Sequence, residues 1–74
     1  MDSHSFHTSS NDKDQSIEEV LETSIQIEED LMRTYLITAE RVHEDAELKE
    51  RLENFAEGNA KRTKQLIDEL KKKE

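Results

Sequence analysis

Apolar residues recur along this chain at helical rather than strand spacing. From Ile17 onward, Val20, Leu21, Ile25, Ile27, Leu31, Met32, Tyr35, Leu36, Ala39 and Val42 follow one another mostly at intervals of three and four, as on a helix with one apolar side. At about 100° per residue these positions fill an arc of roughly 180°, wider than the stripe that a single partner helix covers. A second stripe, formed by Leu48, Leu52, Phe55, Ala56, Leu66, Ile67 and Leu70, is narrower, and two turns in its middle carry no large apolar residue. No Pro interrupts either segment, and the single Gly stands at position 58.

Boundary signals agree with two helices. Ser16-Ile17-Glu18-Glu19 has the form of a capping box, in which the Ser hydroxyl accepts from the Glu19 amide and the Glu19 carboxylate reaches back. Asp45 is suited to cap a second helix that starts at Ala46. The predicted helices cover about 16–43 and 46–72, with apolar stripes from Ile17 to Val42 and from Ala46 to Leu70. At ~1.5 Å rise per residue their arms match in length, so the short turn at His43-Glu44-Asp45 makes an antiparallel hairpin. The excess width of the first stripe, carried by Ile25, Met32 and Leu36, asks for a further helix that the chain lacks. Two hairpins dimerising into an all-α four-helix bundle would supply it; a monomeric hairpin and a larger assembly are the alternatives. Gly58-Asn59 is also a turn signal, and a break there would give three short helices instead. Because the Leu52 to Leu66 register continues without a phase jump, a continuous helix is expected, with Gly58 letting another backbone come close.

Residues 1–15 hold one large apolar side chain, Phe6, among Ser, His, Asp and Asn, a composition that predicts a disordered tail ahead of a helical domain at 16–74. His4 and His7 could chelate a transition metal weakly, but a featureless solvated terminus is the expected reading.

Composition then narrows the function. The 74 residues make one domain at most, and a chain this small gains from association. Without Cys there are neither disulfides nor thiolate metal sites. Charged residues are 41% of the chain and the formal net charge is −8, which repels a phosphate backbone, argues against nucleic acid and favours a basic protein partner. Lys71, Lys72 and Lys73, the one cluster of positive charge, suit a helix C-terminus. No apolar run approaches the ~18 residues of a membrane span, so no membrane partner is expected and the cytoplasm is the expected location.

Three polar residues stand where the periodicity calls for core: Glu28, Asn59 and Arg62. Reflecting the hairpin about Glu44 brings residue 28 level with residue 60, so the three should meet in a buried polar layer, with Tyr35 one turn pair away. Arg62 could instead snorkel to solvent while Glu28 sits in a water pocket. Tyr35 is read as a core aromatic with a wet hydroxyl rather than as a redox participant. His43 stands at the C-terminal end of the first helix with no converging ligand, which gives it a structural role.

The pattern over residues 17–70 resembles one hairpin of the ferritin-like superfamily, especially rubrerythrin-type domains and short dimerising encapsulated ferritins. Glu28 and Tyr35, within EEDLMRTY, match the Glu and the Tyr seven residues on that the first helix of such hairpins supplies. DAELKERLENFAEGNAKRTKQL looks like the second helix, whose Glu-x-x-His pair completes a di-iron centre in that family. Here Asn59 and Arg62 occupy the Glu and His positions of that pair. The resemblance therefore implies degraded metal ligands: two Glu28 and two Arg62 sum to zero charge without metal, whereas four buried carboxylates are stable only with cations present. No catalytic residue, cofactor or metal ligand is assigned. The expected function is a non-catalytic interaction or scaffold module. A ferritin-like oxidoreductase retaining iron or manganese through Glu28 is the first alternative, and a regulatory hairpin binding a larger protein, with no family relation, is the second. Other catalytic patterns are absent.

Overall fold

The structure, a computed structural model, describes residues 13–73. Two helices, α1 (Lys13–Arg41) and α2 (Ala46–Lys73), pack against each other as an antiparallel hairpin, and the described residues contain no strand. This is the all-α hairpin that the spacing predicts.

The start of α1 corrects one expectation. The helix begins at Lys13, so Ser16 lies inside it rather than at its N-cap, and residues 13–15 are helical rather than part of a tail. Lys13-Asp14-Gln15 contains no Gly, Pro or β-branched residue, so nothing in it halts a helix that the following turns already favour. Residues 1–12, with His4 and His7, lie outside the described residues.

At the turn, local polar chemistry fixes both helix ends. The Asp45 carboxylate accepts from the Leu48 amide at 3.0 Å, while its carbonyl accepts from the Lys49 amide at 3.0 Å, the arrangement of an N-cap. The last turn of α1 tightens as the Val42 amide donates to the Ala39 carbonyl at 3.2 Å. The Lys49 ammonium crosses from the first turns of α2 and donates to that same carbonyl at 2.7 Å. A cation thus meets the negative end of the α1 dipole and adds a second donor to a carbonyl that the Val42 amide already engages.

Between the helices the buried residues are small. Among the described residues Ala39, Leu52, Ala56 and Asn59 are the buried ones, so the fully covered apolar interior is two alanines and one leucine. Ile25, Met32, Leu66, Ile67 and Leu70 are half-buried. Much of the stripe expected as core is open in the single chain: Ile17, Val20, Ile27, Leu31, Leu36, Leu48 and Phe55 are exposed, Val20 to 61% and Phe55 to 50%. One neighbouring helix cannot cover so wide an arc. The one-turn ion pairs Arg33–Asp30, Arg51–Glu47 and Lys72–Glu69 lie on exposed flanks and contribute a few tenths of a kcal/mol each at most.

No break occurs at Gly58. α2 is continuous from Ala46 to Lys73, which removes the three-helix alternative. Nor, among the described residues, does another backbone approach this glycine: a Cβ there would meet only the Arg62 guanidinium, at 3.5 Å from Nη1 and 3.7 Å from Nη2.

Two stability predictions follow from these ends and this gap. Asp45→Ala should lower unfolding free energy by about 1 kcal/mol, read as a denaturant midpoint shift, whereas Asp45→Asn, whose side-chain oxygen can also accept from the Leu48 amide, should keep most of the parent stability. Gly58→Ala should raise stability by up to about 1 kcal/mol, because the new methyl finds ordinary contact distances and a helix-interior glycine is costly; a decrease would mean that a second backbone packs against this position.

Candidate functional site: a charge-neutral polar layer

Glu28 sits near the middle of α1, and Asn59 and Arg62 sit one turn apart near the middle of α2. The antiparallel register brings them together. The Asn59 amide nitrogen donates to Glu28 Oε1 at 2.6 Å, and Arg62 Nε donates to Glu28 Oε2 at 2.9 Å. A carboxylate is an acceptor on both oxygens, so each oxygen here has its own donor.

The layer grades from dry to wet. Asn59 is 2% exposed, the Glu28 side chain is 18% exposed and the Arg62 side chain is 55% exposed. Arg62 is therefore not buried, as membership of a core layer would require. Its long stem lets the guanidinium reach Glu28 from the outside while its outer nitrogens lie over Gly58, so pairing and snorkelling coexist. At the inner end, Asn59 Oδ1 is buried without a hydrogen-bond partner. Turning the amide over would set that oxygen against the Glu28 carboxylate, so leaving it unpaired, which costs about 1–3 kcal/mol, is the lesser penalty. The Asn59 carbonyl accepts from the Thr63 hydroxyl at 2.9 Å.

Tyr35 borders the layer along one groove without bonding into it. It packs on Phe55 with centroids 5.4 Å apart and planes inclined by 56°, and no hydrogen bond links its hydroxyl to Glu28, Asn59 or Arg62. That tilted geometry is a favourable aromatic pairing. Periodicity puts both residues in apolar stripes, but spacing alone does not pair them. His43 is exposed in the turn beyond α1.

Two open grooves flank the ion pair on one face of the hairpin. One, of about 530 Å³, runs past Ser24, Gln65, Leu66 and Glu69; the other, of about 350 Å³, runs past Leu31, Tyr35, Asn54 and Phe55. Glu28 and Arg62 line both, so the ion pair forms a ridge between them.

Electrostatics follow the contacts. The Asn59 hydrogen bond and then the Arg62 hydrogen bond hold the Glu28 carboxyl below its ordinary value, against the opposing effect of burial, with the guanidinium charge adding to the depression. Fit to a metal centre fails on the same geometry. Both Glu28 oxygens are engaged by donors, and a guanidinium that stays protonated stands 2.9 Å away where a cation would have to compete. Among the described residues, no group of three or more His, Cys, Asp or Glu converges to hold a metal ion. No helix among them is long and apolar enough to cross a membrane.

No protein-family model, curated protein or solved structure matches this chain.

The depressed carboxyl gives a pH prediction. A group whose pKa is lower folded than unfolded contributes stability that is present above the unfolded value and is lost as pH falls through the folded value. Glu28→Gln should thus be less stable than the parent at neutral pH, and the difference should shrink below the ordinary glutamate value of 4.5. Denaturant titrations between pH 7 and 3 check this; a gap that stays constant across that range would contradict the depression.

Proposed function

We propose that this chain is a non-catalytic helical hairpin that acts as a protein-interaction or scaffold module, self-associating into a four-helix bundle of ferritin-like pattern. The observation that carries the proposal is the open face around the Glu28–Arg62 pair. Val20, Leu31 and Phe55 are exposed, and the ion pair between them is neutral. Soluble monomers seldom leave large contiguous apolar patches uncovered, and an interior built on Ala39, Leu52 and Ala56 buries little for a hairpin of this length. A second hairpin would remove both deficits at once. Beyond that face, the net charge of −8 suits the outer surface to a basic protein partner.

Support for the non-catalytic part comes from the donor set. In a ferritin-like bundle the central layer holds two irons through Glu and His side chains. The corresponding layer here is an amide, a guanidinium and one carboxylate already engaged by both. Arg62 supplies the positive charge that metal ions would otherwise bring.

Two measurements test the proposal together. Sedimentation equilibrium at tens of micromolar should give twice the chain mass, and a monomer would overturn self-association. Titration with iron(II) under air should give neither stoichiometric binding nor oxygen uptake; both, abolished by Glu28→Ala, would establish the metal-dependent oxidoreductase instead.

A further inference from the structure

The geometry of the polar layer selects one way of pairing two copies, an inference that rests on the self-association proposed above. Within the apolar face, the carboxylate belongs to α1 and the guanidinium to α2. Glu28 stands 16 residues before Glu44 and Arg62 stands 18 residues after it, so the two charges share one level of the hairpin.

When two such hairpins stack on this face with two-fold symmetry, fully overlapped and with antiparallel neighbours, two solutions exist. If the axis runs across the helices, α1 lies over the partner's α1 and levels are inverted about the middle. Glu28 then faces the partner's Glu28 and Arg62 faces the partner's Arg62, like charge over like in a layer from which water is being removed. If the axis runs along the helices, α1 lies over the partner's α2 and levels are kept. Each Glu28 then faces the partner's Arg62. Opposed like charges cost free energy that grows as the local dielectric falls, and opposed unlike charges gain by the same law.

Unused bonding capacity points the same way. Arg62 bonds Glu28 through Nε alone, and its Nη1 and Nη2 lie over Gly58 on the open side. Each Glu28 oxygen takes one donor and has a lone pair left for another. Apolar levels also match along this axis: Leu31 and Phe55 stand 13 and 11 residues from Glu44, and Val20 and Leu66 stand 24 and 22 residues from it.

We propose that two copies of this chain pair about a two-fold axis parallel to the helices, with each Arg62 holding its own Glu28 through Nε and the partner's Glu28 through its outer nitrogens. The ion-pair layer is complete only in the dimer. A carboxylate from another protein is a possible rival occupant for the outer nitrogens, and it would leave the chain monomeric alone.

Because the chain has no cysteine, introduced ones report contacts directly. Differently tagged Leu31→Cys and Phe55→Cys full-length chains are mixed, oxidised and read by mass spectrometry, with Val20→Cys and Leu66→Cys as an independent pair in case one variant loses helicity by circular dichroism. Ile27→Cys alone reports the crossed-axis arrangement, in which it would face its own copy. Sedimentation of the parent chain accompanies these. The expected result is a dimer in which mixed-tag disulfides of either pair dominate and Ile27→Cys gives no self-linked product. A dimer with self-linked Ile27→Cys, or with no mixed-tag product in either pair, overturns this arrangement while leaving self-association standing. A monomer overturns both.

Discussion

The Glu28 carboxylate, held from inside by Asn59 and from outside by Arg62, is the contact on which the register of this hairpin depends. The buried apolar residues between the helices are two alanines and one leucine, whose shapes discriminate poorly between one alignment and a neighbouring one. A hydrogen-bonded carboxylate discriminates sharply. Sliding one helix by a turn, about 5.4 Å, would take both donors from the partly buried Glu28 carboxylate and forfeit two charge-assisted hydrogen bonds. The unpartnered Asn59 oxygen is the cost that accompanies this specificity. An apolar residue at 59 would avoid that orphan, but it would leave Glu28 Oε1 without its donor.

Much of this was legible in the sequence because it follows from counting. Intervals of three and four identify two helices, and Asp45 caps the second because a short acceptor before a helix satisfies a free amide. The meeting of Glu28 with Asn59 and Arg62 follows from measuring residues away from Glu44 along two arms of equal rise. Other features depend on quantities that a linear string does not carry. Arg62 lies inside the angular limits of the stripe, but its flexible stem carries the charge outward, and periodicity locates Cα atoms rather than guanidinium groups. Lys49 resembles every other lysine in the chain until the turn geometry brings it to the Ala39 carbonyl. α1 starts ahead of Ser16 because Lys13-Asp14-Gln15 is itself compatible with a helix, and a capping pattern marks a start only where the preceding residues cannot continue it.

Charge arithmetic links this local contact to the behaviour of the whole molecule. At a net charge of −8, two copies repel one another at distances within the screening length, about 8–10 Å at physiological ionic strength. On the face bearing Leu31 and Phe55 the central charges offset one another, being one carboxylate and one guanidinium in contact. A layer of carboxylates at the same place would need cations before two hairpins could close over it, tying assembly to metal supply. Here the Arg62 guanidinium, fixed to the chain, balances Glu28, so the proposed assembly depends on the concentration of the chain rather than on that of a metal.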